Sequence, residues 1–129
     1  MTREEFIKEL DDNKYSYEIQ GDKIIVTGGG HVFLNYLTSL SPGVEFRNRG
    51  SVWLDSLTSL PPGVEFRNGG FVHLDSLTSL PPGIVFNNEG SVRLRALIGG
   101  LFNEWNGNIE GIDSKRLLNF MISKELFER

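Results

Sequence analysis

Apolar residues recur through the middle of the chain with a period of twenty and fall on six fixed positions of each period. In SVWLDSLTSLPPGVEFRNGG, which starts at Ser51, these are Val52, Leu54, Leu57, Leu60, Val64 and Phe66. The preceding block, from His31, has Val32, Leu34, Leu37, Leu40, Val44 and Phe46, and the following block, from Phe71, has Val72, Leu74, Leu77, Leu80, Ile84 and Phe86. A fourth block opens in step at Ser91 as SVRLRAL and breaks at Gly99 and Gly100, while KIIVTGGG at Lys23 to Gly30 matches the second half of a block. Twenty residues are too few for a helix pair and suit one turn of a β-rich solenoid.

Within a block, Val52-Trp53-Leu54 and Val64-Glu65-Phe66 alternate with period two, as short strands with one buried face do. Between them Pro61 and Pro62 lack amide donors and Gly63 accepts a positive φ, so LTSLPPG turns the chain. Asn68, Gly69 and Gly70 make a second corner. Each coil therefore reads as strand, proline corner, strand, glycine corner, with equivalent strands about 4.8 Å apart. Stacking places like on like: Leu37, Leu57, Leu77 and Leu97 form an inner file, and Asn48, Asn68 and Asn88 form a file suited to bonding corner backbone groups.

The predicted fold is mainly β: a single domain over 1–129, with a short β-solenoid of roughly four coils at 23–98 and closing elements at 1–22 and 99–129. At the front, Thr2 with Glu5 fits a capping box, Phe6, Ile7 and Leu10 make a helical stripe, and Tyr15 to Ile19 reads as a strand turned by Gly21-Asp22 into Lys23 to Thr27. At the back a helix is predicted over 114–127. Its apolar residues, Leu117, Leu118, Phe120, Met121, Ile122, Leu126 and Phe127, spread wider than one packing face requires. Two readings follow, internal capping alone and a contribution to self-association as a homo-oligomer.

The run LTSLPP at Leu57 and Leu77, with Ser41 in place of the first proline in the preceding block, resembles the LTSLP signature of short bacterial leucine-rich repeats. The likeness covers some 75 residues, but the LxLxxN segment of those repeats is absent. The whole block is similar to the LTSLPxGVEFRNGG arrays of uncharacterised bacterial and bacteriophage proteins, and GNIEGIDSKRLLNFMI at Gly107 to Ile122 resembles their ending. The resemblance implies a leucine-rich-repeat-like solenoid and brings no activity with it; its phage side implies an inhibitor of a host or defence protein.

Charge narrows the function classes. Thirteen Lys and Arg against seventeen Asp and Glu leave a net charge of −4, without the basic footprint of a nucleic-acid or anionic-membrane binder. The absence of cysteine excludes disulfides and thiolate chemistry. No stretch reaches the roughly 18 apolar residues of a membrane span, and Thr2 to Asp12 is charged rather than signal-like, so a cytoplasmic location is expected.

Candidate chemistry is thin, and no enzyme, cofactor or metal is expected. His31 and His73 lie out of register two coils apart, too few ligands for zinc. Asp55 and Asp75 stack at about the 5 Å of a retaining glycosidase pair, but so would any acidic file in a solenoid, and two carboxylates fall short of a calcium site. The block serines lack a histidine base in register, and Gly28 to Gly30 lacks the lysine of a phosphate loop and reads as a corner. Glu45, Arg47, Glu65 and Arg67 form a charge patch on the outside of the second strand. The repeated Thr38, Thr58, Thr78 and Ser39, Ser59, Ser79 hydroxyls raise ice or carbohydrate binding, which needs a flat regular array, but they occupy a proline-bounded corner over only three coils.

Differences between blocks fall on outward and corner positions. The middle file of the first strand reads Phe33, Trp53, His73, Arg93; its neighbours read His31, Ser51, Phe71, Ser91 and Asn35, Asp55, Asp75, Arg95. A solvent-facing surface of this composition suits protein recognition, and a row of aromatics also suits a structural ladder. His31, Phe33, Trp53, Asp55, Phe71, His73, Asp75, Arg93 and Arg95 are the candidate partner-binding residues of a non-enzymatic binding scaffold. The alternative is a structural, self-associating solenoid.

Overall fold

A computed structural model of the chain describes residues 1–81, 83–97 and 108–109. Helix α1 (Arg3–Asp12) begins at Thr2, whose hydroxyl accepts the Glu5 amide at 3.1 Å while the Glu5 carboxylate accepts the Thr2 amide at 2.8 Å. The reciprocal pair satisfies two amides that the first helical turn leaves without carbonyl partners. Phe6 and Leu10 bury completely in the main core, and Ile7 packs partly against it.

Strands β1 (Tyr17–Gln20) and β2 (Lys23–Val26) form an antiparallel hairpin turned at Gly21, where φ is 60°. Strand β1 starts two residues later than the alternation from Tyr15 predicts, because the Tyr15 amide is taken by the Leu10 carbonyl at the end of α1. From β2 onward the chain winds through β3 (Val32–Phe33), β4 (Val44–Phe46), β5 (Val52–Trp53), β6 (Glu65–Phe66), β7 (Val72–His73), β8 (Val85–Phe86) and β9 (Val92–Arg93). Even-numbered strands β2 to β8 pair in parallel in one sheet and odd-numbered strands β3 to β9 in the other, making a short β-solenoid of about three turns. Register advances by one block per coil: Val52 pairs with Val72 and Val72 with Val92. A further strand, β10 (Asn108–Ile109), lies antiparallel to β9 in a stretch where the sequence pattern predicts no strand. The expected helix over 114–127 lies outside the described residues.

All six apolar positions of each block are buried between the sheets. Phe46, Phe66 and Phe86 stack face to face at 5.3 and 5.2 Å, their planes within 8° of parallel. The proline corner turns on Gly43, Gly63 and Gly83 at φ of 76°, 84° and 83°, a conformation that costs a residue with Cβ but not glycine.

The glycine corner is where the coils come closest. Asn68 is fully buried, and its Nδ2 donates to the carbonyls of Gly70 and Phe71 in its own coil, at 3.3 and 3.1 Å, and of Gly50 in the coil before, at 3.0 Å. Asn48 repeats the pattern on Gly50, Ser51 and Gly30. The asparagine file is the internal ladder that the period predicts. A Cβ at Gly70 would lie 2.7 Å from the Ser51 amide nitrogen and 2.8 Å from the Gly50 carbonyl carbon, so only glycine allows this approach.

Replacing Asn68 by alanine removes the Nδ2 bonds to the carbonyls of Gly50, Gly70 and Phe71 and leaves a void in the buried corner, and a loss of about 1–3 kcal/mol of unfolding free energy is expected by chemical denaturation. Gly70→Ala should cost about 2 kcal/mol through the backbone clash, whereas Gly29→Ala, with nothing within 4 Å of the new methyl, should stay within about 0.5 kcal/mol of the parent. Equal effects at the two glycines would refute the close-approach account.

Candidate functional site

Parallel pairing of β3, β5, β7 and β9 places Phe33, Trp53, His73 and Arg93 in one file on the outer side of that sheet. The rings stack along the solenoid: Phe33 on Trp53 at 4.5 Å and 22°, Trp53 on His73 at 4.6 Å and 9°. Both faces of the Trp53 indole are thus covered, and what meets solvent is the edge of the column. His31 sets its ring edge-on to Trp53 at 5.3 Å, and Phe71 lies 6.1 Å from His73. The two histidines are joined through the tryptophan between them.

The file is not uniformly solvent-facing, which corrects the expectation from alternation. Phe33 is 54% exposed and Phe71 48%, Trp53 and Arg93 are half-buried, and His73 is only 7% exposed. A two-residue strand offers little height, so a ring flanked by Trp53, Phe71 and Arg93 sinks among them even on the outer side. The Nε2 of His73 has no hydrogen-bond partner among the described residues. Burial pushes its pKa below the ordinary 6.5; Asp55 opposes this, Arg93 adds to it, and Asp75 opposes it more weakly.

The files on either side prove to be hydrogen-bond ladders that the sequence reading did not anticipate. On one side His31 Nδ1 accepts the Ser51 amide and Ser51 Oγ accepts the Phe71 amide, each at 2.9 Å. Because an amide is the donor, Nδ1 of His31 carries no proton. On the other side Asn35 Oδ1 accepts the Asp55 amide at 2.9 Å, Asp55 Oδ1 the Asp75 amide at 3.0 Å, and Asp75 Oδ1 the Arg95 amide at 3.3 Å. The stacked aspartates thus bind backbone of the next coil, and Asp75 also lies 3.8 Å from the Arg93 guanidinium. The available signal was an acceptor side chain recurring at twenty-residue intervals just before and just after the strand.

The charge patch on the other sheet is also recast. Glu45 is 1% exposed rather than outward in solvent, held by Arg47 Nε and by Lys23 Nζ at 3.1 Å. Lys23 reaches on to Glu65 at 2.9 Å, and Arg67 meets Glu65 at 2.8 Å. Lys23 and then Arg67 hold the Glu65 carboxyl below its usual range, and Glu65 and Glu45 raise Lys23. Lys23 is the member that sequence spacing missed, since it spans two coils. At the start of the solenoid the Tyr15 hydroxyl accepts the Phe33 amide at 2.9 Å, and Tyr36 donates to Glu9 at 2.6 Å, tying α1 to the first coil.

At the proline corner the Thr78 hydroxyl donates to the Thr58 carbonyl at 3.1 Å, a bond between coils rather than part of a free array. Among the described residues no group of three or more His, Asp or Glu could hold a metal ion, and no helix is long and apolar enough to cross a membrane. No family model, no curated protein and no solved structure matches this chain.

A histidine with a depressed folded pKa destabilises the fold when it is protonated, so its effect is absent above about pH 6.5 and grows as pH falls toward the folded value. Unfolding free energy should therefore decline from pH 7 to 5.5 more steeply in the parent than in His73→Phe. Titration of the His73 ring by NMR should give a midpoint below 6.5; a midpoint above it contradicts the burial account.

Proposed function

We propose that this chain is a non-enzymatic, protein-binding repeat scaffold of leucine-rich-repeat-like type, and that its docking surface is the edge of the aromatic column. The observation that carries the reading is a rigid file of rings with Phe33 and Phe71 about half exposed beside a half-buried Trp53. Aromatic side chains already fixed by stacking lose little conformational entropy on binding, and clustered aromatics with arginine are the usual anchors of protein interfaces. The Trp53 Nε1–H has no partner among the described residues and lies on the edge of a ring whose faces are covered.

In this reading the ladder residues His31, Asp55 and Asp75 hold the surface in register, and Phe33, Trp53, Phe71, Arg93 and Arg95 meet the partner. Helix α1 and the β1–β2 hairpin act as the closing element of the N-terminal end, where an open solenoid would expose core and strand edge. The resemblance to phage arrays adds the nature of the partner, a host or defence protein, and the cysteine-free composition supports a cytoplasmic setting.

Phe33 and Phe71 can be altered with less damage than Trp53, whose replacement removes stacks on both faces and should cost about 1–3 kcal/mol. The double variant Phe33→Ser/Phe71→Ser should keep its Tm within a few degrees and lose the proteins that the parent captures specifically from a bacterial lysate. Capture of the same proteins by both chains would refute the aromatic edge as docking surface.

A further inference from the structure

The glycine corner carries a second surface. Arg47, Arg49 and Arg67 surround a cleft of about 400 Å³, completed by Asn48, Gly69 and Glu89. Its origin is the twenty-residue register. Positions 29, 49, 69 and 89 read Gly, Arg, Gly and Glu, so Gly69 leaves an opening between the side chains of Arg49 and Glu89. The opening is enforced, because a Cβ at 69 would strike the Arg49 carbonyl. Arg47 and Arg67 occupy equivalent positions of successive coils in the adjacent file.

The guanidinium groups retain donors. Arg47 uses Nε on Glu45 and Arg67 uses one terminal nitrogen on Glu65, while Arg49 makes no ion pair among the described residues. Each guanidinium carries five N–H groups in a planar fork that matches a carboxylate, so most of the donors around the cleft are unengaged. Charge selects the ligand. Three arginines line the cleft against one acid, Glu89, and two of them are already engaged outside the lining, Arg47 with Glu45 and Arg67 with Glu65. Arg49 is then the one lining guanidinium without an ion pair among the described residues, and a single planar fork matches a single carboxylate.

We propose that this cleft is a carboxylate-binding site that takes an aspartate or glutamate side chain from an acidic peptide segment, with Arg49 as the principal contact and Arg47 and Arg67 as supporting donors. Glu89 on the rim restrains the affinity by repulsion. The site stands on charge and shape at the glycine corner and is independent of the aromatic edge.

The test is an NMR titration of the arginine Nε–Hε resonances of the full chain with a hexaglutamate peptide at low salt, with inorganic phosphate titrated in parallel. Saturable shifts at Arg49 are expected, with Arg49→Gln weakening hexaglutamate binding about tenfold and Glu89→Gln strengthening it severalfold. Lys14→Gln, which removes one exposed positive charge outside the cleft, should change affinity less than twofold. The proposal is overturned by an unsaturable response, by Arg49→Gln binding within twofold of the parent, by a Lys14→Gln loss equal to that of Arg49→Gln, or by tighter binding of phosphate than of hexaglutamate. This titration reads the cleft alone, so it and the capture experiment on the aromatic edge can each fail without the other.

Discussion

Successive coils bond through their backbones, and the spacing this imposes, about 4.8 Å, governs every other feature of the molecule. At that distance two chains turning a corner have room for neither a second side chain nor an unsatisfied carbonyl. Gly50 and Gly70 answer the first demand and Asn48 and Asn68 the second, with one amide group serving carbonyls of two coils. The corner therefore works as a joint: it sets the separation, and the phenylalanine, valine and leucine files inside inherit their stacking from it.

The same spacing shapes the outside. Rings 4.8 Å apart can only lie parallel, so Phe33, Trp53 and His73 form a column whose faces are spent on each other and whose edges remain. Guanidinium groups at that spacing repel, and Arg47 and Arg67 each take a glutamate of their own strand, with Lys23 bridging the two acids. One periodicity thus produces an aromatic ribbon on one sheet and a lattice of paired charges on the other.

Much of this was legible in the sequence, because a period of twenty converts directly into stacking and alternation converts into inward and outward. The six core positions, the asparagine file, the proline corner and the first helix with its capping box could be read off in that way. Depth was harder to read. Alternation puts His73 and Glu45 outside, but on strands two or three residues long an outward side chain is covered by its neighbours, and both are buried. Longer-range pairing was also hidden: Lys23 reaches a glutamate forty-two positions away, and Tyr15 caps an amide eighteen positions away, across distances that only the wound chain makes short. The side-chain ladders of His31, Ser51, Asn35, Asp55 and Asp75 were visible as files but not as bonds, since nothing in spacing alone says which way an acceptor points.

The flanking ladders have a direction, each side chain accepting the amide of the coil that follows it. Polarity of this kind makes the block from Ser51 to Gly70 repeatable: a second copy beside it presents Ser51 and Asp55 acceptors ahead and their amides behind, and both neighbours find what they had before. Duplication of sixty nucleotides in frame would lengthen the rod by one rung without disturbing the joints on either side. A lineage built this way can vary the reach of its outer surface in discrete increments while its interior stays the same.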